Sequence, residues 1–165
     1  MNEELDPIRE LREDHKKVKD YLLELIDALN KKDAQRSLEI LILLDKLGGP
    51  HFRFEEETLY PTLKKFFGEE YYRYLLKAHD RVITAAKKIA EVLGKGAITE
   101  DEVRMLISIV RSEVLPHPIE CEGLALLMDR LSKEEIRAIA KSIERSRNEN
   151  VPLLEWAETI RVKKV

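Results

Sequence analysis

The sequence predicts an all-α protein, an antiparallel up-down four-helix bundle with one or two additional C-terminal helices. Three observations carry that prediction. Apolar residues recur at alternating spacings of three and four through four long segments. Capping and stop residues fall between those segments. No stretch alternates polar and apolar residues as a half-buried strand would. Short connections between long amphipathic helices then favour antiparallel neighbours.

The first helix opens at Asp6-Pro7, an N-cap followed by proline at the first helical position. Its inward stripe is Ile8, Leu11, His15, Val18, Leu22, Leu25 and Leu29. The second starts near Asp33, carries Leu38, Leu41 and Leu44 to an interruption at Gly48-Gly49-Pro50, and resumes through His51 to about Phe67. Gly68 is its stop. The third, Glu69 to Leu93, repeats the stripe as Tyr72, Leu75, His79, Val82, Ala86, Ile89 and Leu93. Thr99 and Glu102 form a capping-box pattern at the start of the fourth. Its stripe is Val103, Leu106, Val110, Val114, His117, Leu124, Met128 and Leu131, with Pro116 and Pro118 flanking the histidine. A second capping box, Ser132 with Glu135, opens a fifth helix to about Asn148, and a short last helix runs from Pro152 to about Val162. Residues 1–131 thus read as the bundle and 132–165 as a helical appendage packed on it.

Composition narrows the function. At 165 residues with 37% charged and 44% apolar side chains, the chain can bury a real core. Its net charge of −3, with both signs interspersed, points to neither nucleic acid nor an anionic membrane. Its longest apolar run, Ile40 to Leu44, is far short of the roughly 20 residues of a membrane span. No glycine-rich phosphate loop occurs. A lone cysteine, Cys121, and an acidic start without an apolar signal core lead us to expect a cytoplasmic protein. A monomer is expected. A homodimer through Ile136, Ile139, Ala140 and Ile143, or through Trp156, is the minority reading.

The chain has four histidines, and each of the four helices places one in its inward stripe: His15, His51, His79 and His117. One buried histidine is usually a satisfied core residue. Four in one core are costly unless a common partner, such as a metal, accepts their ring nitrogens. His51 and Glu55 are four apart, about 40° around a helix, so both reach one centre. Glu56 and Glu57 read as the solvated face, with Glu56 also open as an acceptor behind a ligand. Tyr60 and Tyr74 are open as donors to the site, although edge packing is the commoner role.

These residues resemble the hemerythrin-like, or HHE cation-binding, domain family. The resemblance spans about residues 8 to 131 and rests on DHKKVK around His15, HFRFEEETLYP around His51, AHDRV around His79 and HPIECEG around His117. It implies a four-helix bundle holding two non-haem irons. His15, His51, His79 and His117 become terminal ligands, and Glu55 and Glu122 become bridging carboxylates. The chain departs from the family at two points. Ile83 stands where the best-known members carry a fifth histidine, which leaves one iron short of a protein ligand. On a regular helix Glu122 points about 140° away from His117, so its role requires Pro118 to distort the backbone. Without that distortion Glu113 or Glu120 shares the face of His117 better, and Cys121 faces inward too. Cys121 reads chiefly as a small buried residue, with a metal or redox role as the minority reading.

Four nitrogens and two carboxylates suit iron and also accept manganese or zinc. Nitrogen outnumbering carboxylate favours reversible small-molecule binding over oxidation chemistry, and the resemblance implies oxygen, nitric oxide or peroxide as the ligand. A binding or sensing protein is therefore expected ahead of an enzyme on the same scaffold, such as a peroxidase or a protein handling nitric oxide or iron. A helical interaction module with a structural metal is the third reading.

Overall fold

The computed structural model describes residues 3–162. The described residues form helices joined by short turns, with no strand among them. Residues 1–2 and 163–165, the outer ends of the two expected units, lie outside the described residues.

Helix α1 (Pro7–Asn30) starts where the sequence places it, with the Asp6 carboxylate accepting from the backbone N–H groups of Ile8 and Arg9. Leu11, His15, Leu22, Leu25 and Leu29 are buried along one face. Helix α2 (Ala34–Phe54) is capped by Asp33, which accepts from the Arg36 N–H. The interruption expected at Gly48-Gly49-Pro50 does not occur, and α2 runs straight through it. The glycines answer a packing demand instead. A Cβ at Gly49 would stand 1.9 Å from the Val151 carbonyl oxygen, and one at Gly48 would meet the Leu153 side chain at 3.3 Å. The chain entering the last helix therefore crosses directly over α2.

The irregularity comes one turn later. A π-helical segment, π1 (Glu55–Leu59), follows α2, closed by the Tyr60 N–H donating to the Glu55 carbonyl. Glu55 and Glu56 are both buried within it, while Glu57 is exposed. Helix α3 (Tyr60–Leu93) is broken at Gly68, whose φ of 82° and ψ of 174° are non-helical. Nothing lies within 4 Å of a Cβ placed there, so the positive φ alone calls for glycine.

The single fourth helix expected from Thr99 to Leu131 is divided. Helix α4 (Glu100–Ile109) begins with the capping box and passes into π2 (Val110–Val114), α5 (Pro116–Glu122) and α6 (Ala125–Met128). Pro116 and Pro118 have no N–H to donate back, and the wide turn carries the chain past them. Helix α7 (Lys133–Glu149) opens with the second capping box and ends at Asn150 in the left-handed region. Helix α8 (Leu153–Thr159) is shorter than expected and stops before Val162.

Elements α7 and α8 pack on α2, with further contacts from α7 to π1 and α1 and from α8 to α3. Trp156, 1% exposed, joins Phe52, Val82, Ile83 and Leu153 in a cluster beneath α8. Two larger apolar clusters hold the rest, one around Leu25, Ile40, Ile89 and Leu106, the other around Leu11, Phe54, Leu75 and Met128. All four histidines fall between these two clusters along their chain segments. No helix of the described residues is long and apolar enough to cross a membrane.

Candidate metal centre

Between the apolar clusters, four imidazoles meet one carboxylate. Helix α1 supplies His15, α2 His51, α3 His79 and α5 His117, while Glu55 opens π1. Glu55 is fully buried and none of the histidines is more than 6% exposed. All four Nε2 atoms face Glu55. His79 and His51 lie 3.2 Å and 3.3 Å from Oε1, His117 lies 3.9 Å from Oε1, and His15 lies 4.0 Å from Oε2. The last two distances are too long for hydrogen bonds, and these two nitrogens are buried without a partner. The Cys121 thiol completes the group, its Sγ 2.8 Å from Oε2.

A second layer of acids holds three of the rings from behind. The Nδ1 of His15 pairs with Glu122 at 2.8 Å, that of His51 with Asp14 at 2.9 Å, and that of His79 with Glu56 at 2.9 Å. A ring whose Nδ1–H is donated outward presents Nε2 to the interior. Arg161 donates to Glu56, with Nη2 2.8 Å from Oε1, and pairs with Asp80 as well. The Phe52 ring stacks on His79 with centroids 3.8 Å apart, and Phe54 sets its edge to His51 at 5.1 Å. Buried imidazoles backed by carboxylates and aimed at a shared acid are what a cation requires.

The profile of the hemerythrin HHE cation binding domain matches residues 6–135. The chain belongs to that family. No curated protein and no solved structure matches it.

The donors present in this HHE domain fit a cation. Two sets of donor atoms each lie within 4.8 Å of one another: His15, Glu55 and Cys121, and Glu55, His79 and His117. Glu55 belongs to both. An ion there would also satisfy the two orphaned nitrogens, which are otherwise an uncompensated cost.

Burial and neighbouring charges set the protonation of each ring. Burial opposes charge on His51, but the Glu55 carboxylate and the bond to Asp14 push its pKa up to about 10. His79 is also raised, Glu55 and Glu56 outweighing burial. Burial pushes His117 down to about 4, and burial followed by the nearby charge of His51 lowers His15. Burial works against the Glu55 carboxylate too, yet the surrounding histidines, His51 first, hold it well below the usual range.

Five of the six residues singled out in the sequence therefore converge: His15, His51, Glu55, His79 and His117. Glu122 does not. Its side chain is 39% exposed, sits behind His15 and takes a second bond from Arg12 at 2.8 Å. Pro118 does not distort α5 enough to turn Glu122 inward, and Cys121 takes the inward position. Glu113, beside Arg81, and Glu120, which accepts from Tyr74 at 2.7 Å, both face outward. Of the two tyrosines, Tyr60 reaches the centre, its hydroxyl 3.1 Å from His79 Nε2 and 3.4 Å from Cys121 Sγ. Ile83 is packed into the cluster beneath α8.

Two contributors were missed in the sequence. Asp14 lies three residues after Leu11 and four before Val18, so the helical stripe already pointed it inward. Arg161 lies far from the motifs in the chain, and no periodicity marks it.

Proposed function

We propose that this HHE domain holds a dinuclear non-haem iron centre and uses it to bind or sense oxygen or a related small molecule, nitric oxide or peroxide. The carrying observation is the placement of Glu55: its Oε2 faces His15 and Cys121, and its Oε1 faces His51, His79 and His117. A carboxylate whose two oxygens meet different donor sets is suited to bridging two ions. His15, His51, His79, His117 and Glu55 would hold them, with Glu122, Asp14 and Glu56 fixing three of the rings. Bound ferrous iron would supply a redox-active Lewis acid with a coordination position for a small molecule. The donor set also accepts manganese or zinc. His15 lines a surface cavity of about 650 Å³ together with Arg12 and Glu122.

The arrangement proposed is four antiparallel rods, each giving one histidine at the same level, with residues 132–165 as an appendage, in a cytoplasmic protein. A second reading, an enzyme that reduces peroxide, is favoured by the buried Tyr60 hydroxyl, a polar group at the edge of the centre.

Anaerobic ferrous loading followed by elemental analysis tests the proposal, with the visible spectrum followed as air is admitted. Close to two irons per chain and new visible bands are expected. One metal per chain would reduce the centre to a mononuclear site. No bound metal would overturn the reading. Glu55→Ala should lower metal content sharply and Glu56→Ala far less, and equal losses would contradict the roles given to these two acids.

A further inference from the structure

We infer that Cys121 supplies a thiolate ligand to the metal on the His15 side of Glu55. This rests on the metal-centre reading above and gives the centre a sulfur donor where the sequence pattern suggested a second carboxylate.

The geometry is a matched pair. On α2 and π1, His51 is followed four residues later by Glu55; on α5, His117 is followed four residues later by Cys121. All four residues are buried, at 0 to 6% exposure. The second pair thus offers its sulfur where the first offers its carboxylate. Sγ lies 2.8 Å from Glu55 Oε2 and shares with it and His15 a set of donor atoms within 4.8 Å of one another.

Independent support comes from His15. Its Nδ1 is tied to Glu122, while its Nε2 is buried, unpartnered and aimed into the same space. Among the described residues no other acid fills that side, because Glu122 is turned outward to Arg12. An ion placed there would meet one nitrogen, one oxygen and one sulfur. On binding, the thiol gives its proton to solvent and bonds as thiolate. Sulfur shifts the preference of that half of the centre toward zinc, cobalt and ferrous iron and away from manganese.

The test is anaerobic loading of the full chain with Co2+, comparing wild type with Cys121→Ser, and reading bound cobalt alongside the near-ultraviolet sulfur-to-cobalt charge-transfer band. The wild type should show the band. Cys121→Ser should lack it while still binding cobalt through the histidines. X-ray absorption of the loaded wild type reads the same point without a variant, as a sulfur scatterer about 2.3 Å from a zinc ion. Cobalt bound without the band, together with zinc bound without a sulfur scatterer, would overturn the thiolate ligand and leave the metal centre standing. A folded wild type that binds neither cobalt, zinc nor iron would overturn the metal centre and the thiolate ligand together.

Discussion

A buried carboxylate or imidazolium left alone costs several kcal/mol, and the residues of this centre avoid that cost by charging and neutralising one another. His51 is held charged between Glu55 and Asp14, while His117, 6% exposed, is held neutral. Linkage gives the consequence for the metal-free protein. Histidine in the unfolded chain titrates near 6.5. The stability owed to His117, whose folded pKa is pushed down to about 4, is complete above about pH 6.5 and is lost as pH falls toward 4. The stability owed to His51, pushed up to about 10, is complete below about pH 6.5 and is lost as pH rises through 10. His15 follows the first pattern and His79 the second. The melting temperature of metal-free protein should therefore peak near pH 6.5 and fall on both sides. Thermal unfolding by circular dichroism across that range checks this, and a steady rise from acid to alkali would contradict the charge states given to His51 and His79.

The elements contribute through their irregularities. At π1 and π2 the helical repeat shifts beside the centre, and each π segment lies next to a proline that cannot donate a backbone bond, Pro61 after π1 and Pro116 after π2. The sequence marked the second region through Pro116 and Pro118. It misplaced the first break, because Gly48-Gly49-Pro50 resembles a stop and in fact clears a path for the chain before α8. The segment after α8 has a further role. Arg161, 6% exposed on its side chain, clamps Glu56, and Glu56 in turn holds His79. Arg161→Met should weaken metal binding by about 10- to 100-fold, the usual cost of disturbing a group behind a ligand, with helix content unchanged. Competition with a chelator of known affinity measures it. An affinity equal to wild type would mean that Glu56 holds His79 without help from the C-terminal segment.

For the molecule as a whole, the centre is a polar layer between two apolar clusters, and metal binding couples to folding there. Metal bound only by the folded state adds about 4 kcal/mol when free metal stands at 1,000 times the dissociation constant. Chelation should accordingly lower the melting temperature by several degrees and reloading should restore it. An unchanged melting temperature, with metal demonstrably removed, would point to the interaction-module reading instead.

Much of this was legible in the chain. Helical periodicity and caps determined the all-helical class and the starts of α1, α2, α4 and α7, because those depend on contacts within a few residues. The same periodicity turned His15, His51, His79 and His117 inward, and the four-residue spacing set Glu55 beside His51. Tertiary structure alone decided the rest. Regular helix spacing put Cys121 inward and Glu122 outward; whether Pro118 would override that depended on how α5 packs against α1, which one helix's sequence cannot specify. Arg161 reaches Glu56 only because α8 folds back over α2 and α3, bringing together residues 105 positions apart. Contacts of that range leave no periodic trace in a sequence, since they are made by packing among segments and not by repeats within one.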